Sequence, residues 1–167
     1  MGYKKFFLID SQHNDIIVLM LPQIDMNTGY LPPGVHGALW AEVELWFGTN
    51  DYRKQLLIGL QSALVNLAEA SCRSVLINGS FISAKPDPAD YDGAWDPCGV
   101  NFKRLDPVLL DFSNARAAMK AKFGGELFLA TGLADPDKKI TFRDFFQTDR
   151  DGVRKGIIEI DPRRDLI

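Results

Sequence analysis

The sequence predicts an α/β (α+β) fold in which helices pack on a small mixed β-sheet. The first observation is a long amphipathic helix over residues 51–70, which Asn50 can cap. Its apolar stripe consists of Leu57, Leu60, Leu64 and Leu67. The second observation is a set of short, apolar segments that are typical of strands. The third is their order of helix, strand, turn, strand, helix and strand, which favours a mixed sheet with helices packed on it.

Before the long helix, the chain contains two apolar segments, a loop and a second helical stretch. Residues 6–9 and 16–21 are short apolar runs separated by polar residues, which predicts a β-hairpin. Residues 25–33 contain glycine and proline and are predicted to form a loop. Residues 37–47 are predicted to be helical because large apolar residues recur there at roughly helical spacing.

After the long helix, the pattern changes to short strands. A strand is predicted over residues 74–78, followed by a Gly79–Ser80 turn. An irregular loop is predicted over residues 83–89 because it contains two prolines, and a second strand over residues 90–95. These two strands bring the turn and the acidic residues that follow it into one structural unit.

The last third of the chain is predicted to add two helices and two strands. The alanine-rich stretch 106–123 favours a helix that two glycines end. A strand over 126–130 and a loop over 131–139 follow. A threonine can cap a short helix over 142–148, and residues 156–160 form the last predicted strand.

Length and composition set the domain organisation. A chain of 167 residues with 46% hydrophobic and 25% charged residues can bury one core. We therefore expect one domain over residues 1–167. It comprises an N-terminal strand and helix extension over residues 1–47 and a core over residues 48–167.

Several functional classes are excluded or disfavoured. The net charge of -3 argues against a broad nucleic-acid-binding surface, which would be basic. The two cysteines, Cys72 and Cys98, form no Cys-x-x-Cys motif, so neither a disulfide framework nor a zinc site is expected. The phosphate-binding P-loop and the dinucleotide-binding glycine motif are also missing. No apolar run is long enough for a signal peptide or a membrane span, so no membrane partner is expected and the expected location is cytoplasmic.

The residues that indicate chemistry are concentrated around the Gly79–Ser80 turn and the Asp90-Tyr91-Asp92 segment. Because strand side chains alternate between the two faces of a sheet, Asp90 and Asp92 point the same way. Two carboxylates on one face repel each other, and the commonest reason for keeping them together is a divalent metal ion. Glycine allows close approach of a phosphate to the backbone, and serine can donate a hydrogen bond to it. The combination is typical of nucleotidyl transfer.

This pattern resembles the signature of the nucleotidyltransferase superfamily, the fold of DNA polymerase beta and of minimal nucleotidyltransferases. In that signature, a Gly-Gly or Gly-Ser pair is followed, after a short gap, by an Asp-hydrophobic-acid segment. The wider chain is similar to an uncharacterised bacterial nucleotidyltransferase-like family. The hallmarks that it shares are the segments Leu31-Pro32-Pro33-Gly34-Val35-His36, Asn78-Gly79-Ser80-Phe81 and Lys155-Gly156-Ile157.

The resemblance implies a two-magnesium catalytic site. Asp90 and Asp92 would bind both ions, and a third carboxylate, on the strand that follows the next helix, would complete the first site and help to deprotonate the acceptor. Glu126 is the favoured third carboxylate, and Glu159 is the alternative.

The same resemblance implies a phosphate site. Gly79 and Ser80 would hold the β- and γ-phosphates of a nucleoside triphosphate such as ATP. Lys85 and Lys155 are candidate phosphate partners because each can act as a point charge. Ser83 is a further candidate donor.

The expected activity is magnesium-dependent transfer of a nucleoside monophosphate from a nucleoside triphosphate to a hydroxyl of a protein, an RNA or a small molecule. Similarity to stand-alone bacterial nucleotidyltransferases suggests a toxin–antitoxin or phage-defence setting with a cognate partner. Two alternatives stay open. One is a catalytically degenerate nucleotide-binding or protein-interaction module, favoured by Asn78 and Gly93, which replace the usual hydrophobic residues. The other is a metal-dependent phosphodiesterase that uses the same carboxylates.

Overall fold

A computed structural model describes residues 6–9, 16–19 and 21–166 and confirms the predicted α/β (α+β) class. The α-helices are α1 (Trp40–Phe47), α2 (Asp51–Glu69), α3 (Ala117–Phe123) and α4 (Phe142–Phe145). The strands are β1 (Phe6–Ile9), β2 (Ile16–Leu19), β3 (Gly34–Gly37), β4 (Val75–Asn78), β5 (Tyr91–Trp95), β6 (Gly125–Leu129), β7 (Leu133–Asp135), β8 (Ile140–Thr141) and β9 (Gly156–Ile160). Short 3₁₀ helices lie at Ser80–Ile82, Pro107–Leu110 and Asn114–Arg116.

The main sheet has five strands in the order β3-β9-β4-β5-β6. β4 at its centre runs antiparallel to both of its neighbours, whereas the β3–β9 and β5–β6 pairs are parallel. The sheet is therefore mixed, as the order of elements predicts. Two further antiparallel pairs, β1–β2 and β7–β8, lie outside it.

The two faces of the main sheet pack against different elements. One face contributes Val75, Ile77, Tyr91 and Leu127 to the larger core, which also contains the leucine stripe of α2. The other face contributes Leu76 and Ala94 to a smaller core that Phe142 and Phe146 of the α4 region cover. Because side chains alternate along a strand, Asn78, Asp92 and Glu126 belong to this second face.

Several predicted elements are confirmed within a residue or two. Helix α2 spans 51–69, and the Asn50 side chain accepts a hydrogen bond from the Arg53 backbone N–H at 2.8 Å, as expected for an N-cap. The predicted hairpin is present as β1 and β2, and residues 10–15 between its strands lie outside the described residues. Strand β9 has the predicted bounds. Gly124 ends α3 with a positive φ of 76°.

The predicted helix over 106–123 is wrong for most of its length. Only residues 117–123 are α-helical, and they follow two short 3₁₀ helices. The cause is local: Asn114, Ala115 and Arg116 all have positive φ, which reverses the handedness of the backbone before α3. The alanines that suggested one continuous helix therefore divide between two segments.

The N-terminal region and the 131–139 segment also differ from expectation. The helix predicted from residue 37 starts at Trp40, because residues 34–37 form β3 as a parallel partner of β9. Two glycines bound this short strand and weaken its sequence signal. Residues 133–135, predicted as loop, form β7, and the helix predicted to end at residue 148 ends at 145.

Buried Glu42 of α1 ties the backbone at Leu21 to the fold. Its two carboxylate oxygens accept backbone hydrogen bonds from Leu21 and Leu39, each at 3.1 Å. The backbone at Leu21 is thereby held against α1. In the portion of the chain that the structure describes, no helix has the length and apolar character needed to cross a membrane.

Candidate functional site

The strand register brings three acidic residues together. Asn78 of β4 pairs with Asp92 of β5, and Asp92 pairs in turn with Glu126 of β6. Asp90 lies two residues before Asp92, and both Asp90 and Glu126 contact the ammonium group of Lys120. We refer to Asp90, Asp92 and Glu126 as the carboxylate cluster.

The glycine of the Gly79–Ser80 turn lies directly against this cluster. Gly79 has φ of 88° and ψ of −173°, a conformation that is almost confined to glycine. A Cβ on Gly79 would lie 2.8 Å from Asp92 Oδ2 and 3.3 Å from the Asp92 backbone nitrogen. Both the backbone conformation and the close approach of Asp92 therefore require glycine at this position.

The surroundings of the Asp92 carboxylate disfavour its charged form. Its pKa is raised above the ordinary aspartate value, first by burial and then by the negative charges of Asp90 and Glu126. The positive charges of Lys155 and Lys120 oppose this rise. The structure thus concentrates negative charge at a half-buried position, which favours additional positive charge there.

Glu126 is buried, and both of its carboxylate oxygens have cationic partners. Arg116 Nε donates to Oε2 at 2.8 Å, and Lys120 Nζ lies 2.6 Å from Oε1 and 3.3 Å from Oδ2 of Asp90. The Lys120 pKa is raised, chiefly by the hydrogen bond to Glu126. The guanidinium of Arg116 also lies 5.0 Å from the ring centre of Phe128.

Lys155, the residue before β9, approaches the cluster from the other side of β4. Its Nζ donates to Asn78 Oδ1 at 2.8 Å and lies 5.6 Å from the ring centre of Tyr30. Burial lowers the pKa of Lys155, while the charges of Asp92 and Asp149 act in the other direction. Lys155 is therefore a partly desolvated cation beside Asp92, which is where a phosphate-binding charge is useful.

The remaining predicted phosphate residues lie in the loop after the turn. Ser80 begins the short 3₁₀ helix that follows Gly79. Ser83 is turned inward, because its Oγ donates to the Ser80 carbonyl at 2.7 Å and accepts from the Lys85 backbone N–H at 3.2 Å. The Lys85 side chain is exposed, and the structure does not bring it into the carboxylate cluster.

Buried Arg53 of α2 holds this loop in place. Its guanidinium donates to the carbonyls of Phe81, Lys85 and Phe47, the last two at 2.8 and 2.6 Å. It also lies 5.0 Å from the centre of the Phe81 ring. Tyr52 adds a hydrogen bond from its hydroxyl to the Ala89 carbonyl at 2.9 Å. The first turn of α2 therefore fixes both ends of the loop between β4 and β5.

Glu159, the alternative third carboxylate, has other partners. It pairs with Leu76 rather than with Asn78 or Asp92. Its Oε1 accepts from Ser74 Oγ at 2.5 Å and lies 3.7 Å from Arg143. The structure thus brings Glu126, and not Glu159, into contact with the groups around Asp90.

The donor set of the carboxylate cluster fits magnesium chemically, since hard carboxylate oxygens are its preferred protein ligands. The ammonium of Lys120, which spans Asp90 and Glu126, shows that a cation is stable at this point. In the structure, however, Asp90 and Glu126 are already paired with cationic side chains. Across residues 6–9, 16–19 and 21–166, no three His, Cys, Asp or Glu side chains are positioned to hold a metal ion. Metal binding therefore requires a rearrangement of the side chains around Glu126.

Two residues of this site, Arg116 and Lys120, were not predicted from the sequence. A usable signal exists: both are basic residues shortly before a predicted strand that carries a glutamate, with Arg116 at the N-cap of α3 and Lys120 within the helix. The predicted continuous helix over 106–123 starts eleven residues before α3 and takes no account of the left-handed residues that precede α3.

The chain matches a known protein family. The sequence profile of DUF6932, described as a family of unknown function, matches residues 22–161, which is most of the chain. The matched region runs from the residue after Leu21 to the end of β9 and includes the carboxylate cluster. Neither the curated proteins nor the solved structures contain a match to this chain. The chain therefore belongs to the DUF6932 family.

Proposed function

We propose that this protein is a magnesium-dependent nucleotidyltransferase. It transfers a nucleoside monophosphate from a nucleoside triphosphate to a hydroxyl of a protein or an RNA. The observation that carries the proposal is the convergence of Asp90, Asp92 and Glu126 on one sheet face, with Asp92 packed against Gly79. A toxin–antitoxin or phage-defence setting in the cytoplasm is the biological context of the proposal.

The order of elements supports this assignment. Helix α2 leads into β4, the Gly79–Ser80 turn connects β4 to antiparallel β5, and α3 leads into parallel β6. In the nucleotidyltransferase signature, the Gly-Ser pair follows such a first strand and the two aspartates lie on the next. Glu126 on β6 then supplies the third carboxylate.

Each residue has a definite role in the proposed reaction. Gly79 and Ser80 bind the β- and γ-phosphates, and Lys155 contributes a fixed positive charge beside them. The carboxylate cluster would hold magnesium, which supplies charge stabilisation at the phosphoryl oxygens. The acceptor hydroxyl loses its proton to a carboxylate as its oxygen bonds to the α-phosphorus. The bond from that phosphorus to the bridging oxygen breaks, and pyrophosphate leaves.

A second candidate function is nucleotide binding without turnover. The observation that favours it is the engagement of both Glu126 oxygens by Arg116 and Lys120, which neutralises the third carboxylate. A module of this kind would use the same phosphate site and would present the bound nucleotide to a partner protein.

The experiment that separates the two functions measures pyrophosphate release and nucleotide binding side by side. Purified protein is incubated with each of the four ribonucleoside triphosphates, magnesium and a cell lysate as the source of acceptor, with a chelator control. Magnesium-dependent pyrophosphate release above the lysate background supports nucleotidyl transfer. Triphosphate binding without release supports the module, and absence of both contradicts the two proposals.

A further inference from the structure

Lys120 of α3 contacts two carboxylates of the proposed metal site. Its ammonium touches two of the three proposed metal ligands, at 2.6 Å from Glu126 Oε1 and 3.3 Å from Asp90 Oδ2. Nearly half of the side chain is exposed to solvent, so the contact is not forced by burial. The ammonium is thus a monovalent cation that occupies part of the carboxylate cluster.

Arg116 strengthens this arrangement from the other side. It binds Glu126 Oε2, so the glutamate has no oxygen that lacks a cationic partner among the described residues. Asp92 differs, because it sits against Gly79 and has no ion pair with either Arg116 or Lys120 at the described distances. Within the cluster, Arg116 and Lys120 therefore form ion pairs with Asp90 and Glu126 and not with Asp92.

We propose that Lys120 is an internal counter-ion that competes with a divalent metal ion for Asp90 and Glu126. This inference rests on the proposed function, since it takes the carboxylate cluster as the metal site. Two cations cannot share these oxygens without strong repulsion, so the ammonium must leave as the metal enters. The four-carbon stem and the exposure of Lys120 permit that movement.

A consequence is that the protein binds metal weakly until another anion attracts Lys120. The phosphates of a triphosphate are anions of the appropriate kind, because a displaced ammonium beside the cluster can pair with them. Metal and nucleotide binding would then be positively coupled, as linkage requires when one ligand removes a competitor of the other. In this way, Lys120 would weaken metal binding when no nucleotide is bound.

The test is a titration with manganese alone, in which the free ion is followed by electron paramagnetic resonance. It compares the full-length wild type with Lys120→Met, Lys120→Arg and the matched control Lys122→Met, after circular dichroism has shown that each is folded. Lys122 lies on the same helix but pairs with Asp106, away from the cluster. Lys120→Met should bind manganese at least about tenfold more tightly than wild type. Lys120→Arg and Lys122→Met should stay close to wild type, and magnesium should compete.

The outcomes distinguish this inference from the proposed function. If wild type and Lys120→Met bind manganese with equal, measurable affinity, Lys120 does not compete with the metal ion, but the proposed metal site is retained. A comparable gain in Lys122→Met would also overturn it, because the effect would then follow net charge alone. No manganese binding by any variant would overturn both the inference and the metal site on which it rests.

Discussion

Asp92 and Glu126 are register partners on the parallel strands β5 and β6, and their side chains lie on the same face of the sheet. The sequence places them 34 positions apart, and the intervening residues include a loop, two 3₁₀ helices and α3. Only the pairing of the strands makes them neighbours. The negative charge of Glu126 contributes to the raised pKa of Asp92, after burial and the charge of Asp90, as expected for neighbouring carboxylates.

Gly79→Ala should damage the site more than the fold. Its positive φ makes alanine unfavourable by roughly 1–3 kcal/mol, and the new Cβ would meet Asp92 Oδ2 at 2.8 Å. We expect triphosphate affinity, measured by isothermal titration calorimetry, to fall at least about tenfold. Gly99→Ala is the matched control, since Gly99 also has a positive φ but no atom within 4 Å of a Cβ. Equal loss of affinity in both variants would show that the contact with Asp92 is unimportant.

Arg53→Met should loosen the loop between β4 and β5. The substitution leaves three backbone carbonyls without their donor, at a position that is only 3% exposed. We expect the free energy of unfolding, from urea denaturation, to fall by roughly 2–3 kcal/mol. Arg73→Met, at an exposed position, should change it by less than about 0.5 kcal/mol. Similar values for the two variants would contradict the role of Arg53 in fixing the loop.

Asp106 should contribute stability that disappears in acid. Its hydrogen bonds from Lys122 and from the Val108 backbone hold its pKa below the ordinary aspartate value. The unfolded chain therefore binds this proton at a higher pH than the folded chain does. Above the ordinary aspartate pKa, Asp106 contributes its full stabilisation to the folded state. This stabilisation is lost as the pH falls through the lowered pKa of Asp106 in the folded protein.

Asp106→Asn consequently should lower the free energy of unfolding at pH 7 by about 0.5–1 kcal/mol, since Lys122 is half exposed and solvent screens the pair. The difference from wild type should shrink as the pH falls below the ordinary aspartate pKa and through the lowered pKa of Asp106. Denaturation at a series of pH values measures it, with exposed Asp137→Asn as control. A gap that persists unchanged at pH 3 would assign the effect to something other than the ionised carboxylate.

Lys155→Met should weaken nucleotide binding without unfolding the protein. A charged hydrogen bond to phosphate contributes about 1.5–3 kcal/mol, which corresponds to roughly a 10–100-fold rise in the triphosphate dissociation constant. The methionine retains the length of the stem and removes a desolvated charge. Lys103→Met, at an exposed position, should bind like wild type. If Lys155→Met binds triphosphate with unchanged affinity, the basic group of the phosphate site lies elsewhere.

Local patterns were sufficient to predict most of the core elements. The α2 stripe, its Asn50 cap and the short apolar strands are encoded by residues close in sequence, so the mixed sheet with packed helices could be predicted. The left-handed turn at Asn114–Arg116 could not be predicted, because three consecutive positive φ values are unusual for residues other than glycine. Strand β3 was missed because a four-residue segment bounded by glycines gains its stability from β9.

The candidate site was predictable to the extent that strand alternation governs it. Asp92 lies on β5 next to Gly79, and Asp90 lies just before the first residue of β5, close to the strand alternation that the sequence predicts. The cations around Glu126 depend instead on where α3 begins and which way its first turn faces. The start of α3 follows from the left-handed backbone at Asn114–Arg116, which no local sequence pattern predicts.

Asp92→Ala is the sharpest test of nucleotidyl transfer by the carboxylate cluster. The measurement is label transferred from α-³²P nucleoside triphosphates to lysate protein and RNA in the presence of magnesium, for wild type and variant. Loss of a metal-binding carboxylate should lower labelling on the order of a thousandfold. The variant should stay folded, because one of three mutually repelling carboxylates is removed. We expect efficient labelling by wild type and its loss in Asp92→Ala, whereas equal labelling by both proteins would show that the carboxylate cluster does not catalyse the transfer.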